Sequence, residues 1–346
     1  MSKLLKLDNT KRRIVCSWLV CGCVLVFLMV VVGGVTRLSG SGLSMVNWKP
    51  ITGFIPPMAE ADWQQLFSDY KKSPQFQKVN YDFILADFKT IFWWEYIHRL
   101  LGRFIGLVFL VPFLFFLAKK WLSQDLMKKC CVMFVLGAFQ GLLGWYMVKS
   151  GLVDNPEVSH YRLAAHLLTA TILFGYILWV FLDVSLGKPK GPSRSNGIIK
   201  LSRVLLLIVL VQIIYGAFVA GLKAGLVYNT FPKMGEYWIA EGVTSMNPFW
   251  INFVENLAGV QFVHRYLAYL IVLFVFVLFW RSRSCSLKID QKITITSLLV
   301  IVLFQFLLGV LTLLNAAPMS LSIFHQMFAL LLFGNVVILN HRFVSK

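Results

Sequence analysis

The sequence is poor in charged residues: Asp, Glu, Lys and Arg together make up 14% of its 346 residues. In soluble globular domains about a quarter of the residues are charged. This chain is instead 58% hydrophobic, with a mean hydropathy of +0.73. These values exclude a disordered chain, a collagen-like fibre and a water-soluble enzyme, and they indicate a polytopic membrane protein.

Acidic residues are especially scarce, with 15 Asp and Glu against 33 Lys and Arg, which gives a net charge of +18. The basic residues do not form one patch. They lie in short clusters at the ends of apolar runs, where they orient a protein in the membrane. We therefore expect no nucleic acid among the partners.

Cysteine is also rare, and the two long polar loops, 36–90 and 223–256, contain none. This absence excludes a disulfide framework in those loops. The six cysteines lie within or beside apolar runs or in one basic loop, at Cys16, Cys21, Cys23, Cys130, Cys131 and Cys285.

Eight segments are long and apolar enough to cross a hydrocarbon core, which takes about 20 residues. The first is too long for a signal-peptide core and no small-residue cleavage site follows it, so we interpret it as a retained anchor. The predicted all-α fold has membrane-spanning segments at 14–35, 95–118, 130–148, 163–182, 204–222, 257–280, 293–314 and 319–340.

Lys and Arg are concentrated at the N-terminus and after the second, fourth and sixth segments, where the fourth is followed by Lys188, Lys190 and Arg194. By the positive-inside rule both termini face the cytoplasm and both long loops lie outside. These loops are rich in Trp and Pro, including Trp48 and Pro50. That composition fits an ordered cap as well as an interfacial aromatic belt.

The chain carries an internal duplication. EYIHR at 95–99 matches QFVHR at 261–265, and QGLLG at 140–144 matches QFLLG at 305–309. We predict two tandem four-helix bundles, 1–185 and 186–346. Because each has an even number of spans, both face the same way and are related by a pseudo-two-fold axis along the membrane normal.

Four histidines, His98, His166, His264 and His325, lie in the second, fourth, sixth and eighth spans, near the outer leaflet. Ionisable groups inside a bilayer are costly and usually functional. Zinc needs three or four converging ligands, whereas a haem iron needs two axial ligands. We predict two bis-histidine haem sites that pair His98 with His166 and His264 with His325. The two other histidines, His160 and His341, are expected to be solvated or interfacial.

Arginines follow two of these histidines directly, at Arg99 and Arg265, and Arg103 lies one turn further along. Guanidinium groups bind carboxylates in a bidentate manner, so these residues are candidates for haem propionate contacts. The alternative is that they extend to lipid head groups.

The halves differ at one position near the histidines. Glu95 lies three residues before His98 and shares its helix face, while the matching residue before His264 is Gln261. A carboxylate therefore accompanies one haem site only, which suggests chemistry at that site. The alternative is that Glu95 only stabilises a helix N-terminus.

The strings GGVTRLSGSGLS at 33–44, NWKP at 47–50, EYIHRLLGR at 95–103 and QFVHR at 261–265 resemble the heme A synthase family. The resemblance covers nearly the whole chain. One branch of that family has a cysteine pair in the first external loop. This chain has none there and is similar to the cysteine-less branch of proteobacteria and mitochondria. No mitochondrial presequence is evident, which favours a bacterial inner membrane.

The resemblance implies that the chain is an oxidoreductase. It would bind haem O between His98 and His166 and oxidise its C8 methyl group to formyl in successive hydroxylations, giving haem A. Glu95 would be the catalytic carboxylate, activating water or trapping an oxidised methyl carbon. A haem b cofactor on His264 and His325 would pass electrons to an acceptor in the membrane. The farnesyltransferase that makes haem O is the expected partner; the sequence leaves a homo-oligomer open.

Two other functions fit the four histidines. One is a di-haem b-type cytochrome that exchanges electrons with quinone. The other is a haem transporter or chaperone. Neither function explains why one half has Glu95 where the other has Gln261.

Overall fold

The computed structural model of the protein describes residues 8–47, 53–187 and 196–343. The features predicted from Trp48, Pro50 and the loop cations Lys188, Lys190 and Arg194 lie outside these described residues.

Eight helices among the described residues are long and apolar enough to cross a membrane, which confirms the all-α, eight-span prediction. Each overlaps one predicted segment. Two shorter helices, α2 and α3, lie between the first two. The bounds are α1 Asn9–Leu38, α2 Glu60–Lys71, α3 Pro74–Lys78, α4 Leu85–Ala118, α5 Gln124–Lys149, α6 His160–Leu186, α7 Asn196–Gly221, α8 Leu257–Arg283, α9 Ile289–Leu314 and α10 Met319–Phe343.

The long helices form two rings of four. In the N-terminal half α1 and α5 each pack against α4 and α6, and in the C-terminal half α7 and α9 each pack against α8 and α10. The histidine-bearing helices α4 and α6 therefore occupy opposite corners of one ring, as α8 and α10 do in the other. The halves meet where α6 packs against α7 and α10 and where α1 packs against α10.

One hydrogen bond joins the first and last helices across this interface. The Gln326 side chain of α10 donates from Nε2 to the Val30 carbonyl oxygen of α1, at 2.7 Å. The approach is close, because a Cβ added to Gly34 would lie 2.8 Å from Gln326 Oε1. Gly34 therefore makes room for the amide between the two halves.

The described part of the connection between α1 and α4 forms a cap together with the first turns of α4. That helix starts at Leu85, ten residues before the predicted span. Ten helical residues add about 15 Å. This extension carries Phe88 and Phe92, which pack with Trp63, Phe67 and Tyr70 of α2 in a separate buried aromatic cluster. The ordered-cap interpretation therefore holds for the described part of this loop.

The connection between α7 and α8 is built differently, from short 3-10 turns tied by asparagine side chains. Asn252 is fully buried and its amide nitrogen donates to the carbonyl oxygens of Met246 and Phe249. The tryptophans of this loop remain exposed, Trp238 at 55% and Trp250 at 63%. They suit an interfacial belt better than a packed cap. The described parts of the connections after α1, α5, α7 and α9 lie at the same end of the helix bundle, termed here the long-loop end. They are residues 39–47 and 53–84, 150–159, 222–256 and 315–318.

His160 and His341 were expected to be solvated or interfacial, and their burial contradicts the solvated alternative. His341, at the opposite end of the bundle, is 1% exposed, and its Nε2 lies 3.1 Å from Asp183 Oδ1. The same carboxylate accepts a 2.6 Å bond from Lys129 Nζ. His160 is also buried, and its Nε2 is 2.9 Å from the Val254 carbonyl oxygen.

Candidate functional site

All four predicted histidine ligands lie near the start of a helix that begins at the long-loop end. His166, His264 and His325 are six or seven residues into α6, α8 and α10. His98 is 13 residues into α4, because that helix begins in the cap. All four side chains are partly shielded rather than exposed.

Each histidine ring lies against a glycine of the preceding long helix. A side chain at these glycines would meet the imidazole, so the missing Cβ lets the ring lie close to the neighbouring backbone. From an ideal Cβ on the glycine to the ring Cε1 the distances are Gly33–His98 3.0 Å, Gly144–His166 3.4 Å, Gly216–His264 3.4 Å and Gly309–His325 2.9 Å.

Three of the histidines also have a glutamine amide beside them. Two of these glutamines, Gln140 and Gln305, begin the duplicated strings, and the third, Gln212, lies outside them. Gln305 Nε2 donates to the main-chain oxygen of His325 at 3.0 Å. Gln212 Nε2 donates to the oxygen of His264 at 3.1 Å. With its amide nitrogen turned toward His166, Gln140 lies 3.3 Å from the main-chain oxygen and 3.0 Å from Nδ1. The spacing Gln-x-x-x-Gly in 140–144, 212–216 and 305–309 is the signal that could have found them.

His264 and His325 face each other across the C-terminal ring, with 6.4 Å between the ring centroids. A metal–imidazole bond is about 2 Å long. Two imidazoles on opposite sides of one metal atom therefore have centroids about 6 Å apart. The observed separation fits a bis-histidine haem iron.

His98 and His166 occupy the matching corners of the N-terminal ring. Their helices, α4 and α6, both pack against α1 and α5. The small residues beside them include Gly102 one turn after His98 and Ala165 next to His166. The fold thus brings the predicted partners together within each half.

The surroundings of these histidines fit a porphyrin better than a metal ion bound by the protein alone. Among residues 8–47, 53–187 and 196–343, no three His, Cys, Asp or Glu side chains form a metal-binding group. In the same ranges Nδ1 of His98, His264 and His325 is buried and has no hydrogen-bond partner. A buried polar atom without a partner calls for an explanation, and a further ligand at the site supplies one.

Glu95 is 2% exposed and accepts five hydrogen bonds. Its Oε2 accepts from Ser44 N at 2.8 Å, Ser44 Oγ at 2.7 Å and Met45 N at 2.9 Å. Its Oε1 accepts from Arg99 Nε at 3.1 Å and Arg99 Nη2 at 2.5 Å. The carboxylate therefore fixes the chain just after α1 to the turn of α4 that carries His98.

Gln261 and Arg265 form the corresponding connection in the C-terminal half. Gln261 Nε2 donates to the Ala224 carbonyl oxygen at 2.9 Å. Arg265 donates to the carbonyl oxygens of Tyr228 and Thr230, the latter at 2.8 Å. Both halves thus tie their long loop to the histidine helix through an arginine, which a carboxylate accompanies in the N-terminal half and an amide in the C-terminal half.

Among the described residues, the fold and these side chains define a membrane protein with eight helices suited to span the bilayer and four shielded histidines. The chain belongs to the family described as cytochrome oxidase assembly protein, COX15-CtaA, whose model matches residues 16–337.

Named relatives are similar over nearly their full length. The chain is 46% identical over 344 residues to the heme A synthase of Flavobacterium psychrophilum, covering 97% of this chain and 99% of the relative. It is 48% identical over 340 residues to that of Flavobacterium johnsoniae, covering 96% and 98%. The heme A synthase of Nitrosospira multiformis is 46% identical over 334 residues, covering 96% and 94%.

Proposed function

We propose that this protein makes haem A from haem O by oxidising the C8 methyl group to formyl. The observation that carries the proposal is the difference between the halves beside matching histidines, Glu95 in one and Gln261 in the other. Two histidine pairs provide for two porphyrins, and only one pair has a carboxylate next to it. Family membership and the names of the relatives support the same function.

In this proposal His98 and His166 bind the iron of the substrate haem O. His264 and His325 hold a haem b cofactor, and their 6.4 Å ring separation supports that assignment. Bound haem b supplies one-electron chemistry. The pairs lie in separate helix rings, so substrate can be exchanged in one ring while the cofactor stays in the other.

The reaction adds one oxygen atom and removes electrons. If water supplies the oxygen, two hydroxylations followed by loss of water convert CH3 and H2O to CHO, four protons and four electrons. An electron acceptor in the membrane is therefore required. The farnesyltransferase that makes haem O is the proposed supplier of substrate, because the product of that enzyme is the substrate of the proposed reaction.

Glu95 acts on the methyl carbon in one of two ways. It takes a proton from the water that attacks the oxidised carbon. Alternatively its oxygen bonds to that carbon as an ester, which water then cleaves to the alcohol and the free carboxylate. The bonds from Ser44, Met45 and Arg99 hold the carboxylate in one orientation for either role. Arg99 also carries positive charge beside the substrate site.

We assign the haem propionates to arginines next to the ligands, Arg99 for the substrate and Arg265 for the cofactor. A guanidinium group has five N–H donors in a planar fork. Arg265 Nε is buried and has no hydrogen-bond partner in the described ranges, so it has a donor suited to an anion. Loop carbonyl oxygens accept from its two Nη atoms and fix its orientation.

We further propose that the halves 1–185 and 186–346 are related by a pseudo-two-fold axis along the membrane normal. The matched packing order of the two rings supports this relation. The basic residues flanking the spans support cytoplasmic termini and an external long-loop end, in a bacterial inner membrane.

The test is the haem content of Glu95→Gln and its mirror variant Gln261→Glu, each expressed with a source of haem O. Extracted haems are separated by chromatography and identified by mass. Wild type should contain haem B together with haem O, haem A or a hydroxylated intermediate. Glu95→Gln should keep haem B and haem O but form haem A at least about 100-fold more slowly, which is the rate loss expected when a general acid–base group is removed. Gln261→Glu, the matched control, should still form haem A.

Normal haem A formation by Glu95→Gln would remove the catalytic role. A di-haem b-type cytochrome is then the second candidate, and one observation favours it: the bonds from Ser44 and Met45 give Glu95 a sufficient structural role. Haem B alone in the wild type would establish that function. Haem lost readily from both sites would instead indicate a transporter or chaperone.

A further inference from the structure

The residues of the preceding long helix that lie beside the four histidines are not the same at all four positions. Three have a glutamine one helical turn before the glycine that contacts the ring. Its amide bonds to the main-chain oxygen of the histidine or lies beside it, at His166, His264 and His325. In each case a polar side chain from the preceding long helix reaches the turn that carries the ligand.

His98 is the exception. The residue one turn before Gly33 is Met29, whose thioether has no N–H to donate. Its methyl end packs where α4 has a glycine, since a Cβ on Gly102 would lie 3.3 Å from Met29 Cε. In the other half the corresponding residues are Gln212 and Ala268. The environment of His98 therefore differs at two residues, Met29 on α1 and Gly102 on α4.

An amide at this place acts on the ligand through its helix turn. Interhelical hydrogen bonds hold neighbouring membrane helices in register. Partners of a metal ligand typically change metal affinity 10- to 100-fold. A histidine whose own main-chain oxygen is bonded to the next helix is held in place. Thr36 and Glu95 tie the turn before His98 to α1 and to the chain after it. The turn after His98 meets the flexible thioether of Met29 instead of an amide, which leaves the histidine free to move.

We propose that Met29 is a positioning residue that makes His98 the releasable ligand of the substrate pair. This inference rests on the proposed function. A substrate haem has to leave after each reaction cycle, while a cofactor haem has to stay. The glutamines hold the helix turns of His166, His264 and His325 in place. His98, which has no such amide, is on the same helix as Glu95. The product leaves when His98 gives up the iron and His166 remains.

The experiment measures haem release from the purified full-length ferric protein to an excess of apomyoglobin, with the released haems identified by mass. Wild type should release haem O or haem A in a fast phase and haem B in a slow phase. Met29→Gln should slow the fast phase about tenfold and leave the slow phase unchanged. Gln212→Met should speed the slow phase by a similar factor.

Two control variants separate the amide from its surroundings. Met29→Leu also lacks an N–H and should keep the fast phase. Leu28→Gln places the same amide on a more exposed face of α1, where Leu28 is 44% exposed, and should leave both phases unchanged. The ferric electron paramagnetic resonance spectrum gives a second readout, with a smaller high-spin signal from the substrate haem in Met29→Gln.

An unchanged fast phase in Met29→Gln would overturn the inference, and so would a Met29→Leu variant that releases haem as slowly as Met29→Gln. Haem B in both phases of the wild type would overturn the proposed function instead. In that case a slower fast phase in Met29→Gln would still establish His98 as the releasable ligand.

Discussion

The glycines that face the histidine rings differ in how much space they leave. A Cβ on Gly309 would lie 2.9 Å from His325 Cε1, closer than real Cβ atoms come to other atoms, whereas one on Gly216 would lie 3.4 Å from His264 Cε1. Alanine at 309 therefore has to displace the ring, and alanine at 216 makes an ordinary contact. Two glycines that both face a histidine ring of the C-terminal half thus tolerate different residues.

We expect Gly309→Ala to lower the haem b content of the purified protein at least about tenfold, because the ligand is moved. Gly216→Ala should retain most of it. The measurement is the dithionite-reduced absorption spectrum per mole of protein. Gly137→Ala in α5, where an added Cβ meets nothing within 4 Å, controls for the substitution itself. Equal haem in Gly309→Ala and Gly216→Ala would contradict the steric argument.

At the residue scale the sequence showed the candidate ligands but not what holds them. Intramembrane histidines stand out because polar residues are costly there, and their spacing along the spans predicts their depth. Ser44 and Met45, which donate to Glu95, are about 50 residues away in a loop, and no periodicity predicts that contact. Their roles in binding and catalysis remain predictions.

At the scale of elements, α4 is the helix that hydropathy described least well. Its apolar part was predicted, but the turns from Leu85 onward carry Asp87 and Lys89 and fall outside an apolar window. They are helical because Phe88 and Phe92 pack on α2. Tertiary packing rather than membrane burial extends this helix, and a pattern of hydropathy along the chain does not contain that contact.

Phe88→Ala should lower the free energy that keeps this cap folded by about 3–5 kcal/mol, the usual loss of stability when a buried Phe is truncated. Phe88 is fully buried, with its ring centroid 5.4 Å from Phe67 and 5.1 Å from Tyr70. The measurement is the rate of limited trypsin cleavage after Lys71 or Lys78. Tyr81→Ala, at a residue 72% exposed, should leave that rate unchanged. A Phe88→Ala variant as resistant as wild type would show that the aromatic cluster does not hold the cap.

At the scale of the whole molecule, the two rings and their shared interface could be anticipated only in part. The duplicated strings predict two halves, but not that α6 and α10 meet between them. The contact of His341 with Asp183 was missed for the same reason, since these residues are 158 positions apart. Contacts between distant segments depend on how the helices assemble.

The orientation is tested with reporters fused to the full chain. With cytoplasmic termini, green fluorescent protein after residue 346 should fluoresce and alkaline phosphatase at the same place should be inactive. Phosphatase inserted after Gly235, in the loop between α7 and α8, should be active. Active phosphatase at the C-terminus would reverse the proposed topology.

The bond between Val30 and Gln326 also has a consequence for the order of biosynthesis. Its partners are 296 residues apart, and α1 leaves the ribosome first while α10 leaves last. At about 5–20 residues per second, α1 waits roughly 15–60 s for this neighbour. Until then one face of the helix that borders His98 is covered by lipid or by a helper protein. The surroundings of the N-terminal helix ring are therefore completed only when the last helix of the second half is inserted.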